Sequence, residues 1–380
     1  MGEVFKEYSE KNHTELPALT IIQGGGTVKR EDSDRNLMYD ESNLSNYKMV
    51  RKDDFIVHLR SFEGGLEKSA LDGIVSPAYH TFHSDVADSR FYYPYFRSHE
   101  FIKHKLVPHV YGIRDGRSID IDGMKIIEIP YTSMEEQRQI GDYLESLDHL
   151  ITLHQRKCEQ TKNLKKYMLQ KMFPQNGAKV PEIRFNGFTH DWEQRKLSDV
   201  LDIVTKRNGE KYGKEEVLSV SDEYGCINQI KFQGRSFAGE DISNYKIVDT
   251  GDIIYTRSPL KSKPYGIIKV VGDEIGIVSP LYIVNKVKEG NNSQFIYRVF
   301  DSPEKTNKYL SPLVRKGAKN TMNISNDEWL SGKIDVAPSY EEQYQIGLYF
   351  DHLDHLITLH QRQCDELKKM KKYMLQNMFI

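Results

Sequence analysis

Few side chains in this 380-residue sequence have the types and spacing that catalysis requires. A metal-dependent nuclease would place clustered carboxylates around a Glu-x-Lys pair on a strand, but the one such pair, Glu366-Leu-Lys368, falls in a predicted helix. The Gly-rich run Gln23–Thr27 lacks the Gly-Lys-Ser/Thr ending of a phosphate-binding loop, and we interpret it as a mobile loop. The sequence contains no HExxH or Gly-x-Ser-x-Gly motif. These observations predict a protein without catalytic residues of its own and without a cofactor.

Two tetrapeptides, Ser76-Pro-Ala-Tyr79 and Ser279-Pro-Leu-Tyr282, are similar to the [DNS]-P-P-[FYW] motif of amino-methyltransferases. Both lack the second proline, and no Gly-rich strand-to-helix turn suited to a methyl-donor cofactor precedes them. We therefore predict that each is a structural turn after a buried strand, with its tyrosine packed inward. A stand-alone methyltransferase is a rival hypothesis.

Cysteine and histidine usage does not indicate a metal site. The three cysteines, Cys158, Cys226 and Cys364, form no CxxC pair, and two of them occupy matching positions in a repeat, where a small apolar residue would serve equally well. His154 and His360 also occupy matching positions in the repeat. Two interpretations are open, a metal-binding pair or packed, hydrogen-bonded residues of a helix seam. We favour the second interpretation. The sequence thus predicts no metal and no disulfide.

A long internal repeat organises the chain. Residues 135–173 recur at 341–379 with 27 of 39 positions identical, and a period of about 206 residues implies two large modules in tandem. Each copy follows a capping box, Ser133-x-x-Glu136 or Ser339-x-x-Glu342, and its apolar residues advance by alternating steps of four and three. This spacing predicts two long helices that pair as a coiled coil. Parallel and antiparallel pairing are both open, and two similar modules related by a pseudo-twofold axis favour the antiparallel case.

The helix ends and the globular halves repeat as well. The lysine pairs Lys165-Lys166 and Lys371-Lys372 are interpreted as solvated charges near helix C-termini, where the helix dipole favours them. Between the helices, Tyr-Lys-Met-Val at 47–50 matches Tyr-Lys-Ile-Val at 245–248, and the tetrapeptide turns follow in the same order. Short alternating apolar runs separated by Gly, Asp and Pro predict β-rich modules and an α+β fold.

This order of motifs, with the segment VPEIRFNGFTHDWEQRKLSDV at 180–200, resembles the specificity subunit of type I restriction-modification systems over essentially the whole chain. The resemblance implies an α+β fold in which two β-rich target-recognition domains are separated by two long helices, packed as an antiparallel coiled coil with internal pseudo-twofold symmetry. The implied boundaries are target-recognition domain 1 at 1–133, spacer helix 1 at 134–174, a linker and lead-in at 175–196, target-recognition domain 2 at 197–338, and spacer helix 2 at 339–380.

The resemblance also implies a function and partners. Each module would read one half of a bipartite double-stranded DNA target, and the helices would set the spacing and dock two methyltransferase subunits, which restriction (translocase) subunits then join. The chain itself would be non-catalytic. The alternative is a duplicated coiled-coil adaptor that binds only proteins. A net charge of −2 does not decide between them, because nucleic acid is bound by a local basic surface. With no signal peptide or membrane span in the sequence, we expect a cytoplasmic protein with no membrane partner.

In such modules, Lys and Arg side chains in loops would contact phosphates and base edges. The candidates in the first module are Lys29, Arg30, Arg60, Arg90, Arg114 and Arg117, and those in the second are Lys206, Arg207, Arg257, Lys261, Lys263, Arg315, Lys316 and Lys319. The stretches Arg114–Arg117 and Arg315–Lys319 are favoured. Each precedes the closing strand of its module and contains a glycine that permits close approach to a phosphate.

The two modules differ at their starts. Met1-Gly-Glu-Val aligns with Leu197-Ser-Asp-Val, so the segment from Pro181 to Lys196, which leads into the second module, has no counterpart before the first. We expect this difference to affect the terminal strand of the first module or its packing.

Overall fold

The computed structural model describes residues 1–33, 41–112, 118–261, 263–317 and 322–379. The chain divides into two units, of which unit 1 comprises Met1–Gln155 and Gln361–Ile380 and unit 2 comprises Arg156–His360. Each unit therefore contains one β-rich module and a part of each long helix. Within the described ranges, no helix combines the length and hydropathy that crossing a bilayer requires.

Unit 1 is built from short antiparallel strands. They are β1 (Lys6–Tyr8), β2 (Leu19–Ile22), β3 (Gly26–Lys29), β4 (Lys48–Val50), β5 (Phe55–Val57), β6 (Glu67–Lys68), β7 (Gly73–Val75), β8 (His80–His83), β9 (Val110–Tyr111) and β10 (Ser118–Ile119). A four-stranded sheet has the order β1-β8-β5-β6, and the pairs β2–β3, β4–β7 and β9–β10 complete the module. The helices are α1 (Ser61–Gly64), α2 (Ser89–Phe96), α3 (Ile121–Lys125) and the long α4 (Met134–Lys171), whose residues are divided between the units.

Unit 2 contains a second set of strands. They are β11 (Glu193–Lys196), β12 (Leu201–Ile203), β13 (Leu218–Ser221), β14 (Gly225–Asn228), β15 (Lys246–Val248), β16 (Ile253–Tyr255), β17 (Ile268–Val270), β18 (Gly276–Val278), β19 (Ile283–Val287), β20 (Arg315–Lys316), β21 (Met322–Asn323) and β22 (Lys333–Val336). The helices are α5 (Gln229–Gln233), α6 (Ser293–Val299), α7 (Pro303–Leu310), α8 (Asn326–Ser331) and the long α9 (Tyr340–Asn377).

The two modules share one topology. The sheet β12-β19-β16-β17 matches β1-β8-β5-β6, and the pairs β13–β14, β15–β18 and β20–β21 match β2–β3, β4–β7 and β9–β10. Only the pair β11–β22 has no counterpart among the residues described in unit 1. The predicted α+β fold with two related β-rich modules and two long helices is confirmed.

Aromatic side chains fill the core of each module. In unit 1, the rings of Phe5, Phe55 and Phe96 lie with centroids 4.9–5.4 Å apart, at edge-to-face angles. In unit 2, Trp329 stacks on Tyr255 at 5.0 Å and donates its indole N–H to Asn285 Oδ1 at 2.9 Å. Each buried large apolar side chain contributes about 1.5–3 kcal/mol to folding, so these clusters hold the short strands together.

The long helices pair antiparallel in both units. Lys371 Nζ lies 2.5 Å from Asp148 Oδ1 in unit 1, and the equivalent Lys165 Nζ lies 2.6 Å from Asp354 Oδ1 in unit 2. Early residues of one helix thus meet late residues of the other. The seam is confirmed too, since Leu144 and Leu147 are buried in unit 1 and Phe350 in unit 2. The interpretation of Lys165 and Lys371 as solvated charges was wrong, because each forms an interhelical ion pair that helps to fix the register.

The capping boxes are formed only in part. Ser133 Oγ accepts the amide of Glu136 at 3.3 Å, and Ser339 Oγ accepts that of Glu342 at 3.4 Å. The glutamate side chains do not accept the backbone amide of the capping serine, which the second half of a capping box requires. Instead, Glu136 accepts a hydrogen bond from Thr132 Oγ1, and Glu342 binds side chains of another segment. The helix starts were predicted correctly, but the second half of each box was not.

The Gly-rich run is ordered, contrary to the sequence interpretation. It forms the turn of the β2–β3 hairpin, with Gly24 at φ +85° and Gly26 at φ +74°, conformations that glycine adopts without strain. The amides of both glycines donate to the fully buried carboxylate of Glu67, at 2.6 and 3.1 Å. A carboxylate more than 40 positions away thus holds this turn.

Asp252 gives unit 2 a pH-dependent stability. Burial raises the pKa of Asp252 to about 6, from an ordinary 3.8. When the pKa of a carboxyl group is higher in the folded state than in the unfolded state, ionisation favours the unfolded state. The contribution of Asp252 to the free energy of unfolding therefore falls as pH rises from about 4 to 6. We expect Asp252→Asn to raise the free energy of unfolding by about 1–3 kcal/mol at pH 7 and to change it little at pH 4. Urea denaturation at both pH values measures this, and the exposed Asp273→Asn, expected to change it by less than about 0.5 kcal/mol, is the control.

Candidate nucleic-acid interface

In each unit, a lysine at the start of a strand binds the Ser-Pro-x-Tyr turn. Lys48 Nζ donates to the carbonyl of Tyr79 at 2.6 Å, and Lys246 Nζ donates to that of Tyr282 at 2.6 Å. Each tyrosine amide closes the turn by donating to the carbonyl of the serine three residues earlier, at 3.0 and 3.1 Å. Both tyrosines are half-buried and pack against apolar core residues. The predicted structural turns are confirmed. In each unit, the last carbonyl of the turn holds a lysine ammonium group beside it.

Further cations surround the lysine in unit 2. Arg207 forms a backbone bridge with Lys246, and Arg257 donates from Nε to the carbonyl of Leu281 at 2.7 Å, one residue before Tyr282. Burial lowers the pKa of Lys246, and the nearby charges of Arg257 and Arg207 lower it further. Together with the exposed Lys206, these residues form the basic cluster of unit 2 (Lys206, Arg207, Lys246 and Arg257). Crowded like charges of this kind attract an anion such as a phosphate.

The basic cluster of unit 1 consists of Lys11, Arg30, Lys48 and Arg60. Burial lowers the pKa of Lys48, the carboxylate of Glu7 opposes this effect, and the charge of Lys11 adds to it. The guanidinium of Arg30 lies 5.3 Å from the ring centroid of Tyr47. Exposed Arg60 donates its amide to His58 Nδ1 at 3.3 Å, and the His58 ring lies 6.2 Å from that of Tyr79. Of these residues, Lys48 bonds the equivalent turn directly, and the carboxylate of Glu7 is an acidic neighbour, whereas the charges that act on Lys246 are those of Arg257 and Arg207.

Several other predicted residues are already paired within the fold. Arg90 on α2 bonds Asp88 at 2.7 Å and also reaches Asp142 and Glu145 of α4, so its guanidinium connects the module to the helix. The ammonium of Lys263 pairs with Asp222, and the Lys263 side chain is 15% exposed. Carboxylates of the fold therefore pair with both of these cations.

The remaining predicted residues lie on the surface or outside the described residues. Arg315 is 82% exposed and pairs with Glu328 at 2.8 Å, and Lys29 is 43% exposed beside Glu31 at 3.6 Å. Lys261 is exposed. Arg114, Arg117 and Lys319 lie outside the described residues, and Lys316 is placed in β20 with its side chain undescribed.

Sequence reasoning missed Lys11, Lys48 and Lys246. The signal for the last two is present in the sequence, because Tyr-Lys-x-Val recurs at 47–50 and 245–248 and marks more than the repeat itself. A lysine repeated at the start of a strand, ahead of a repeated turn, indicates a shared polar role. The clusters themselves could not be read from the sequence, since each joins residues of three or more separate segments.

A cleft of about 950 Å³ in unit 1 is a second place where titratable groups meet. There His83 Nδ1 lies 2.5 Å from Asp54 Oδ1, and this hydrogen bond raises the pKa of His83. Asp54 also accepts hydrogen bonds from Tyr8 OH and from the amide of Arg51, so the pair is part of the fold's own hydrogen-bond network. Across the described ranges, no group of three or more His, Cys, Asp or Glu residues could hold a metal ion.

Comparison with known proteins shows which family this chain resembles. Residues 189–369 match the family model of the type I restriction modification DNA specificity domain. The chain is similar to the type I restriction-modification specificity family over this part, which is just under half of its length.

Two curated members of this specificity family come from Methanocaldococcus jannaschii. The specificity subunit of the type I restriction enzyme MjaVIII is 26% identical over 259 residues, which cover 65% of this chain and 60% of the relative. A putative specificity subunit of the enzyme MjaX is 24% identical over 196 residues, 50% of this chain and 45% of the relative. The chain thus spans about half to three-fifths of these relatives. The crystal structure of the type I S subunit from M. genitalium has the same fold, with a TM-score of 0.58, 13% identity, and coverage of 100% of this chain and 97% of that one.

The repeated helix motif, Glu-Glu-Gln-x-Gln-Ile-Gly, attaches each module to its helix. The buried Gln137 accepts the amide of Asp88, the N-cap residue of α2, at 2.9 Å, and the equivalent Gln343 accepts that of Asn292, the N-cap of α6, at 2.8 Å. Gly141 allows α2 to pack closely against the long helix, because a Cβ atom at this position would lie only 3.0 Å from Arg90 Cβ. These contacts hold each module in a defined position on its helix.

Proposed function

We propose that this chain is the DNA-recognition subunit of a type I restriction-modification complex and that it reads a bipartite double-stranded target. The proposal rests on one observation, the presence of a basic cluster at the equivalent turn of two modules with the same topology. Residues 1–133 and 197–338 are the proposed target-recognition domains, and 134–174 and 339–380 the proposed spacer helices. Two equivalent readers suit a target made of two separate parts.

The basic clusters would bind phosphates, and neighbouring loops would read bases. Lysine and arginine contacts to phosphates position a protein on a duplex, whereas specificity comes from groups that reach base edges. The predicted residues Arg114, Arg117, Lys316 and Lys319 remain candidates for such contacts, as do the exposed Lys29, Lys261 and Arg315. We do not include Arg90 or Lys263, because carboxylates of the fold bind both.

Two equivalent apolar patches support the docking of two copies of one partner. In unit 1, Leu150, Met370 and Tyr373 are 39–65% exposed, and the equivalent residues of unit 2, Leu356, Leu164 and Tyr167, are 41–49% exposed. Exposed apolar residues repeated at matching positions indicate matching binding surfaces. We assign these patches to two methyltransferase subunits, which would perform the chemistry and which the restriction subunits would join.

The patches alone would equally suit a duplicated adaptor that binds only proteins, so DNA binding decides between the hypotheses. The experiment is selection of duplexes from a random library by the chain reconstituted with its methyltransferase subunits, followed by sequencing. We expect two short specified elements separated by a fixed unspecified gap, with affinity that falls steeply as salt rises. Retention without sequence preference would contradict the proposal. Methyl transfer by the purified chain alone would support the methyltransferase hypothesis instead.

A further inference from the structure

In each unit, one hairpin lies directly beside the strand that leads into the Ser-Pro-x-Tyr turn. The residue before β2, Ala18, forms a parallel bridge with β7, and the residue before β13, Val217, forms the equivalent bridge with β18. In unit 1, Arg30 of the basic cluster follows β3 immediately, and its Nε donates to the carbonyl of Leu19 in β2 at 3.4 Å. The hairpins β2–β3 and β13–β14 thus stand next to the groups that are proposed to bind phosphates.

The two hairpins share one backbone frame. Each consists of two four-residue strands, paired from Leu19↔Lys29 to Ile22↔Gly26 in unit 1 and from Leu218↔Asn228 to Ser221↔Gly225 in unit 2. The glycine that begins the second strand has a positive φ in both, +74° at Gly26 and +71° at Gly225. The chain therefore leaves each turn in the same left-handed conformation, which glycine adopts without strain.

A buried charged residue holds each turn, and its sign differs between the units. Glu67 in β6 and Lys269 in β17 occupy equivalent positions. Glu67 accepts the amides of two turn glycines and the hydroxyl of Tyr93, the last at 2.7 Å. Lys269 donates to the hydroxyl of Tyr297 at 3.0 Å and lies 3.6 Å from the carboxylate of Asp222 in the other turn. Each turn is thus anchored by a charge that suits its own sequence.

The tips of the hairpins present different side chains. In unit 1 the tip is Gln-Gly-Gly at 23–25, where Gln23 is exposed. In unit 2 the equivalent tip is Asp-Glu-Tyr at 222–224, where Tyr224 is 59% exposed and its ring centroid lies 5.5 Å from that of Phe232. One frame therefore carries a side-chain amide in the first module and an aromatic ring in the second.

Shared and differing parts of two equivalent readers suit different contacts. Phosphates are common to every DNA sequence, and Lys48 and Lys246 bind their turns in the same way in both units. Reading two different sequence elements requires residues that differ on a common frame, which is the property of the hairpin tips. The exposed carboxylate of Glu223 also disfavours a phosphate contact at the tip in unit 2. The tips therefore suit base edges.

We propose that the β2–β3 and β13–β14 hairpins enter the major groove as two-stranded ribbons and that Gln23 and Tyr224 read base edges there. This inference rests on the proposed function and extends it to residues that determine specificity. The major groove of B-DNA admits a two-stranded β-ribbon. Glutamine can form two hydrogen bonds with adenine, so Gln23 would specify an adenine in one element. The methyl group of thymine is the apolar group in that groove, so Tyr224 would specify a thymine in the other element.

The test is duplex selection by the chain reconstituted with its proposed methyltransferase subunits, repeated with single variants at the tips. Gln23→Ala should lower the preference for one adenine at least about fivefold in one element and leave the other element unchanged. Tyr224→Ala should lower the preference for one thymine in the other element, and Tyr224→Phe should retain it because the ring remains. Tyr340→Ala removes a ring that is 51% exposed on α9 and is the matched control, which should leave both elements unchanged.

Modified duplexes test the thymine contact without changing the protein. Uracil in place of that thymine removes only the methyl group and should weaken binding by the wild type about threefold to fivefold. The same replacement should not weaken binding by Tyr224→Ala. The slope of log affinity against log salt should stay within about 0.5 of the wild type in both alanine variants, because no phosphate contact is lost. A loss of affinity at no thymine of that element would contradict the contact.

Selection by the wild type separates this inference from the proposed function. Two specified elements that remain unchanged in Gln23→Ala and Tyr224→Ala would overturn the hairpin inference alone. A change of both elements in either variant would contradict it as well, since each tip would read one element. The absence of specified elements with the wild type would instead overturn the proposed function and, with it, this inference.

Discussion

Replacing Arg298 with alanine is expected to lower the free energy of unfolding of unit 2 by about 3–5 kcal/mol. Arg298 is 2% exposed on α6, and its guanidinium lies 2.6 Å from carboxylate oxygens of Asp301, Asp351 and Asp354. Asp301 is itself 7% exposed and pairs with both Arg298 and Lys165. Without Arg298, its remaining ion pair would be the one with the ammonium of Lys165, at 2.7 Å. Removing one member of a buried ionic network costs far more than the network contributes in total.

The measurement is urea denaturation at pH 7, with Arg362→Ala as the control. Arg362 is 78% exposed and pairs with Glu366 at 2.9 Å, so its loss should cost less than about 1 kcal/mol. Burial alone would raise the pKa of Asp301, but the charges of Lys165 and Arg298 outweigh it and hold that pKa well below its ordinary value. The stabilisation by the network is therefore present at neutral pH and is lost as pH falls below about 4. A loss below about 1 kcal/mol for Arg298→Ala at pH 7 would contradict the assignment.

This network has a counterpart in unit 1 that uses different positions. There Arg90 on α2 reaches Asp142 and Glu145 on α4, whereas Arg298 lies four residues further along the equivalent helix of unit 2. The two modules thus attach to their helices through equivalent glutamines and through arginines at different positions. A module that loosens from its helix would lose its defined position, so Arg298→Ala should also weaken recognition if the proposed function holds.

The second large effect concerns DNA. The double change Lys206→Ala with Arg207→Ala is expected to weaken binding of the reconstituted complex to its selected target by about 10–100-fold near 0.15 M salt. Both side chains are exposed in the basic cluster of unit 2, and each lost phosphate contact should reduce the slope of log affinity against log salt by about 1. Affinity measured across a salt series reports both quantities.

A matched control separates a local contact from a change in overall charge. Lys196→Ala with Lys333→Ala removes the same charge from two exposed residues that face each other across β11 and β22. We expect this pair to change affinity by less than about threefold and to leave the salt slope within about 0.5 of the wild type. Equal losses in both double variants would show that the basic cluster is not a contact site.

The sequence predicted the fold well because its repeats carry periodic, local information. The alternating steps of the seam predicted paired helices, and the structure buries Leu144, Leu147 and Phe350 as that pattern requires. The tetrapeptide turns were likewise predicted from proline and residue order. Such features depend on neighbours in the chain.

What the sequence did not predict depends on residues far apart in the chain. The β2–β3 turn is held by Glu67, and Lys165 is bound by Asp354, 189 positions later. The basic cluster of unit 2 joins Arg207, Lys246 and Arg257, which lie together only once β15 pairs with β18 and the turn after β18 has formed. Loop charges chosen by type alone therefore included Arg90 and Lys263, which carboxylates bind, and omitted Lys48 and Lys246.

Methylome sequencing of cells that carry this chain with its proposed methyltransferase partners tests the proposed bipartite recognition most directly. We expect chain-dependent methylation within a motif of two specified elements and a fixed gap, and replacement of residues 1–133 by another module should change one element and preserve the other and the gap. A single continuous motif, a change in both elements, or methylation that does not depend on the chain would contradict the account.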